Sequence, residues 1–140
     1  MFLLLDTTAE HGATVALVDQ SGKVTSTRRV NGVFAHAEKL LVATEGLLRA
    51  TRLSPRRLSG IAVVRGPGGF TAVRMGVVTA NVLAYALGVL LVGVRTADEP
   101  LAALARRAAE QLRHHASRRP VVPLYSSPPN ITPPKKKPLR

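Results

Sequence analysis

The 140-residue sequence predicts an α/β domain with a mixed five-stranded sheet and helices on its faces. Three observations lead to this fold class. The first thirty residues hold three short apolar or β-branched runs separated by turn residues, and the next apolar run changes to helical spacing. From residue 58 onward, apolar strands alternate with two further helical segments. The predicted order of elements is therefore βββαβαβα.

The first three strands are predicted at Phe2–Leu5, Ala13–Val18 and Val24–Val30. Ser21-Gly22 is a turn signal between the second and the third. Because these runs follow one another closely, they imply two hairpins, and we expect the three strands to be antiparallel.

Helical spacing begins at His36 and continues to Arg52, where Ser54-Pro55 ends the first helix. The fourth strand is predicted at Leu58–Val64, the fifth at Leu90–Val94, and a third helix from Asp98 to about His115. Seven residues fall on one face of the first helix at 3.6 residues per turn: Ala37, Leu40, Leu41, Thr44, Leu47, Leu48 and Thr51.

The second helix should run from about residue 71 to Leu87. It is apolar nearly all round, which predicts burial on more than one side. Its small residues Gly76, Ala80 and Ala84 recur every four positions. We expect them to form a flat ridge on which a helix of another protein packs closely.

An uncharged run of twenty residues, Met75 to Val94, is long enough for a membrane span. Gly88 and the polar Thr79 and Asn81 interrupt it, which favours a buried helix followed by a buried strand. The N-terminus lacks the basic region of a signal peptide. We therefore expect a cytoplasmic protein with no membrane partner.

The charge is concentrated near the C-terminus. Residues 101–140 hold nine basic residues and one acidic residue, out of a net charge of +12 for the chain. Seven of the ten prolines lie in residues 117–140, which predicts a domain over 1–116 followed by an extended basic tail. Such a tail, with Lys135-Lys136-Lys137, is suited to contacting RNA phosphates. The absence of cysteine excludes disulfides and thiolate chemistry.

Two loops carry residues suited to anion chemistry. Gly66-Pro67-Gly68-Gly69-Phe70-Thr71 joins a strand to a helix, so its backbone N–H groups are suited to a phosphate. The alternative is a tight connection with Thr71 as the helix N-cap, and the pattern alone favours it. Asp6-Thr7-Thr8 is suited to hydrated Mg²⁺ and phosphate, or equally to a hydrogen-bonded turn.

No metal site is predicted. The four histidines, His11, His36, His114 and His115, contain no pair at the i, i+4 spacing that would share a helix face.

The sequence resembles the bacterial TsaB (YeaZ) family. The resemblance is carried by Leu4-Leu5-Asp6-Thr7-Thr8, His36-Ala37-Glu38 and the stretch from Gly66 to Gly76. The last stretch is the most specific, and it departs from the family pattern at Gly69 and Ala72, where the family has Ser and Gly.

The resemblance implies a single lobe of the ASKHA (actin-like ATPase, ribonuclease-H-like) fold and a role in forming N6-threonylcarbamoyladenosine at position 37 of tRNA. It implies no catalytic residues and no cofactor of its own, with ATP or ADP at the partner interface as one option. The implied partners are the transferase TsaD, the ATPase TsaE, tRNA (indirectly or through the basic tail), and a second copy when TsaD is absent. Where TsaD has a His-x-x-x-His metal pair, this chain has His36 and Leu40.

The resemblance also implies a second, smaller lobe. Pro123-Leu124-Tyr125 matches part of the family's C-terminal motif, so the expectation is an abbreviated form with most of that lobe missing. The implied TsaD interface lies on the first two helices, at His36, Leu40, Leu41, Val73, Arg74, Gly76, Val77, Ala80 and Ala84.

Two other functions remain open from the sequence. One is a small nucleotide-binding, phosphotransferase-like enzyme that uses Asp6 and the glycine loop. The other is a basic RNA-binding module that acts through its tail.

Overall fold

The computed structural model describes residues 1–9, 12–32 and 37–126, and it confirms the predicted fold class. A short 3-10 turn at Pro55–Arg57 is the one helical addition to the predicted order within these residues. The elements are β1 (Phe2–Asp6), β2 (Gly12–Val18), β3 (Val24–Asn31), α1 (Ala37–Ala50), β4 (Gly60–Gly66), α2 (Phe70–Leu87), β5 (Leu90–Arg95) and α3 (Leu101–His115).

The sheet has the strand order β3-β2-β1-β4-β5. β1, β2 and β3 pair antiparallel, as the closely spaced hairpins predict, while β1 pairs parallel with β4 and β4 with β5. Since β1 and β4 run in the same direction, their carboxyl ends meet at one edge of the sheet. This topology places Asp6-Thr7-Thr8 beside the loop that follows β4.

The period of two along each strand divides the core between the two faces of the sheet. Leu3 and Leu5 point to the face covered by α1 and α2, whereas Phe2 and Leu4 point to the face covered by α3. The third helix buries an alanine-rich stripe, which lets it lie close to the strands. This stripe comprises Leu104, Ala105, Ala108 and Ala109.

Helix α2 ends where its sequence predicts. Gly88 adopts the left-handed conformation, with φ 65°, and its N–H donates to the carbonyls of Ala84 and Tyr85. A side chain is strained in this conformation and glycine is not, so Gly88 ends the helix and allows the chain to turn into β5.

The segment 117–126, here called the strap, packs against the domain. Ser117 exchanges two backbone hydrogen bonds with Leu91 of β5, at 2.9 and 3.0 Å. The Val121 N–H donates to Asn81 Oδ1 at 2.8 Å, and its carbonyl accepts from Asn81 Nδ2 at 3.0 Å. The packed part of the chain therefore extends ten residues past the boundary that the proline-rich composition predicts at 116.

We expect Asn81→Ala to loosen the strap, because both polar backbone groups of Val121 lose their partner. The loss should lower the free energy of unfolding by about 1–3 kcal/mol. Urea denaturation gives the stability, and amide exchange at Val121 locates the change. Asn31→Ala, at an exposed asparagine of β3, is the matched control. Unchanged exchange at Val121 in Asn81→Ala would contradict this role.

Candidate docking surface and glycine loop

The end of β1 and the glycine loop lie against each other. Thr7 is buried, and its hydroxyl donates to the carbonyl of Ala72 at 2.7 Å, which ties β1 to the first turn of α2. A Cβ added to Gly76 would lie 2.3 Å from Thr7 Oγ1, so only glycine fits there. The structure thus brings together the two motifs that the sequence singles out.

The Asp6 carboxylate is engaged by its own turn. Its Oδ1 accepts from the backbone N–H of Thr8 at 2.9 Å and from the Thr8 hydroxyl at 2.6 Å. These bonds are those of the hydrogen-bonded turn that the sequence offers as the alternative to a phosphate site. Nucleotide binding by Asp6, Thr7 and Thr8 stays a prediction.

The start of α2 differs from the expected cap. Gly69, not Thr71, is the N-cap, and no side chain bonds to the free N–H groups of this turn. The helix begins at Phe70, so Thr71 lies within its first turn, where it is exposed. The loop keeps backbone donors without a side-chain cap, as an anion cradle needs, and anion binding there stays a prediction.

The strap ends on this same loop. The Ser126 hydroxyl donates to the carbonyl of Gly68 at 3.1 Å, and the ring of Tyr125 lies 4.5 Å from that of Phe70. The Leu124 N–H donates to the carbonyl of Arg65 at 2.7 Å, just before the loop. The glycine loop is therefore held between Thr8 on one side and the strap on the other.

Among the described residues, no group of three or more histidine, aspartate or glutamate side chains is placed to hold a metal ion. His36, the histidine that the resemblance singles out, lies outside the described residues.

The predicted interface on α1 and α2 needs correction. Its ridge of small residues faces the sheet, where Ala80 is completely buried and Gly76 contacts Thr7. Small residues are needed there so that α2 can lie close to β1 and β4. Leu41 and Arg74 are exposed, and His36 lies outside the described residues. The predicted interface residues that the domain itself buries are Leu40, Val73, Gly76, Val77, Ala80 and Ala84.

The outer faces of α1 and α2 carry bulky apolar side chains that the domain leaves uncovered. We call this set the docking surface. Tyr85 is 91% exposed, Val42 61% and Val82 59%, values that leave most of each side chain available to a partner. The complete set is Leu41, Val42, Val78, Val82 and Tyr85. Sequence reasoning missed Val42, Val78, Val82 and Tyr85, although Val78, Val82 and Tyr85 share an i, i+4, i+7 spacing that could have identified them.

An apolar groove joins the exposed faces of the two helices. It has a volume of about 510 Å³, and Leu41 of α1 lines it opposite Leu83 and Leu87 of α2. Glu45 and Arg49, an exposed ion pair at 2.6 Å, stand at its rim. Grooves of this kind accept an apolar side chain from a second protein.

Within the described residues, α2 is the one helix long and apolar enough to cross a membrane, by length and composition alone. Only 33% of its residues are buried. The buried third packs on the sheet, as in a core helix, and the remaining apolar residues supply most of the docking surface.

The chain is similar to known proteins of tRNA threonylcarbamoyladenosine synthesis. The family model described as TsaD, tRNA N6-adenosine threonylcarbamoyltransferase, matches residues 25–127. The tRNA N6-adenosine threonylcarbamoyltransferase of Geotalea daltonii is 38% identical over 69 residues, which are 49% of this chain and 20% of that protein. The threonylcarbamoyladenosine biosynthesis protein TsaB of Bacillus subtilis is 38% identical over 63 residues, 45% of this chain and 28% of the relative.

The solved structure of YeaZ from Pseudomonas aeruginosa matches with a TM-score of 0.59 and 32% identity, covering 68% of this chain and 44% of that one. A second Pseudomonas aeruginosa structure, described as similar to the peptidase YeaZ, has the same score and covers 82% of this chain and 50% of its own. The chain thus spans half or less of the length of the relatives it matches. It belongs to the TsaD, tRNA N6-adenosine threonylcarbamoyltransferase, family and is a protein of the TsaB (YeaZ) type.

Proposed function

We propose that this chain is a non-catalytic subunit in the synthesis of tRNA N6-threonylcarbamoyladenosine, which docks on a TsaD-type transferase and activates it. The observation that carries the proposal is the uncovered docking surface on α1 and α2. A solvent-exposed row of valines and a tyrosine is costly for a protein that acts alone, and it is the composition of a protein–protein interface.

The size of the surface fits this role. Two helices of 14 and 18 residues present their outer faces side by side. Covering both faces would bury on the order of 1,600 Å² in total, the size of a standard specific interface. Tyr85 is a large aromatic residue of the type that is enriched at the centres of interfaces. The neighbouring groove can bind an apolar side chain of the partner.

The non-catalytic role is inferred from chemistry. The resemblance places a metal-binding histidine pair of TsaD at His36 and Leu40, and leucine does not bind metal. Leu40 is also completely buried in the domain core. The family model and several relatives, the Geotalea daltonii protein among them, carry the transferase name, so the test must ask whether this chain modifies tRNA by itself.

The decisive experiment is co-expression with the TsaD-type protein of the same organism, followed by size-exclusion chromatography and a tRNA modification assay. We expect the two chains to co-elute, and modification to fall sharply when this chain is omitted. Modification by this chain without TsaD would show that it is itself the catalyst. Separate elution of the two chains would contradict the proposal that this chain is a scaffold for TsaD.

The remaining components of the proposal rest on the resemblance to the TsaB family. TsaE, tRNA and a nucleotide (ATP or ADP) at the partner interface are proposed as further components, acting in the cytoplasm. In the absence of TsaD, the docking surface would pair with a second copy of the chain in a symmetric dimer.

A nucleotide-dependent enzyme is the main rival. Its candidate carboxylate, Asp6, holds Thr8 through two hydrogen bonds. We expect the purified chain to release no phosphate from ATP. Release that disappears in Asp6→Ala would support the rival.

A further inference from the structure

A cavity opens where the strap crosses the outer edge of β5. Two residues on this edge already have partners: Leu91 pairs through its N–H and carbonyl with Ser117, and the Arg95 carbonyl accepts from the guanidinium of Arg107 at 2.5 Å. Backbone groups of a strand point alternately to its two sides. The N–H and carbonyl of Gly93, midway between the two, therefore point to the same outer edge, where the described part of the chain provides no partner for them.

The side chain of Arg65 lies across Gly93. A Cβ added to Gly93 would lie 2.8 Å from Arg65 Cδ and 2.7 Å from Val121 Cγ1, so the arginine stem runs between β5 and the strap. Its Nε is buried and has no hydrogen-bond partner among the described residues. An unpaired buried donor on a permanently charged group is costly, so this guanidinium lacks part of the hydrogen bonding that would compensate its burial.

The lining of the cavity has the chemistry of an anion site. The cavity has a volume of about 390 Å³, and no carboxylate from the described part of the chain lines it. Two arginines, Arg65 of β4 and Arg119 of the strap, give it a charge of at least +2. The polar side chains in the lining are those of Arg65, Gln111, His115, Ser117 and Arg119.

We propose that this cavity is a phosphate-binding site. Guanidinium groups bind phosphate oxygens through paired, charge-assisted hydrogen bonds, and a phosphate dianion would balance the two arginines. The Gly93 N–H adds a backbone donor of the kind found in phosphate-binding loops. The ligand is a phosphoryl group, supplied by an RNA backbone or by a free phosphate compound. The proposal does not depend on the docking surface, since none of the docking residues lines the cavity.

The test titrates inorganic phosphate into the purified full chain at constant ionic strength while amide resonances are followed by NMR. We expect the Gly93 amide to shift and saturate. Arg119→Ala should weaken the affinity about tenfold, as loss of a charge-assisted bond predicts. Arg65→Met, which keeps most of the stem but removes the charge, should weaken it at least as much.

Arg118→Ala is the matched control, because Arg118 is exposed and lines the adjoining cavity on the α2 side of the strap but not the proposed site, whereas Arg119 lines both. Its phosphate affinity should stay within about twofold of wild type, as expected for a screened surface charge. A Gly93 amide that does not move, or equal weakening by Arg118→Ala and Arg119→Ala, would overturn the proposal.

A second titration with a short single-stranded RNA identifies the source of the phosphoryl group. If the site takes an RNA phosphate, Arg119→Ala lowers the RNA affinity and reduces the slope of log K against log salt concentration by about one. In the same titration, Arg118→Ala leaves the shift of the Gly93 amide unchanged. If phosphate binding depends on Arg119 but RNA binding does not, the ligand is a free phosphate compound.

Discussion

Val78→Glu together with Val82→Glu should abolish complex formation with the TsaD-type partner while the chain stays folded. Both valines are half exposed or more on the outer face of α2, so water continues to solvate the new carboxylates in the free chain. In the complex the same carboxylates would be buried without a counter-charge, which costs several kcal/mol for each group. We expect at least a hundredfold loss of affinity.

Co-purification and the tRNA modification assay measure this effect, and circular dichroism confirms that the variant is folded. Ala102→Glu is the charge control, since Ala102 is exposed on α3, which packs on the opposite face of the sheet. A double variant that still co-elutes with the partner would show that the interface lies elsewhere on the domain.

Local chemistry in the sequence was sufficient to predict the order of the elements. The hairpins follow from the close spacing of the first three strands, and the end of α2 follows from Gly88, whose left-handed backbone favours glycine. Helix starts were less predictable. Thr71 is a good N-cap type, but the helix starts at Phe70 with Gly69 before it, and no side-chain cap marks that position.

The orientation of α2 could not be predicted from its periodicity. One face carries Gly76 and Ala80, and the opposite face carries Val78 and Val82, so both faces are apolar. What decides between them is a contact with a distant residue: the Thr7 side chain occupies the space that a Cβ at Gly76 would need. The choice depends on tertiary packing, which local spacing does not encode.

The packing of the strap against the domain could not be predicted from the sequence, for a different reason. Its prolines correctly indicate a segment without helix or strand. The strap is held, however, mainly by hydrogen bonds that its own backbone groups make, with the backbone of Leu91 and Arg65 and with the side chain of Asn81. Backbone groups are the same in every residue, so composition carries no information about where they pair.

The buried orientation of the small residues of α2 makes a second strong prediction. Ala80 is completely buried between α2 and the sheet, and its surroundings are the apolar core shared by α1, α2 and the strands. A carboxylate at position 80 would lose its hydration in that apolar core. A glutamate there would also need space for two more carbon atoms and two oxygens in a close-packed interior.

Ala80→Glu should therefore unfold the domain, with a loss of more than about 4 kcal/mol out of a typical total of 5–15 kcal/mol. Thermal melting followed by circular dichroism measures it. The matched control is Ala86→Glu, the same substitution on the same helix at an exposed position, where the change should stay within about 0.5 kcal/mol. If Ala80→Glu instead melted like wild type and only lost its partner, the small-residue ridge would face outward, and the docking surface would have to move to that side of α2.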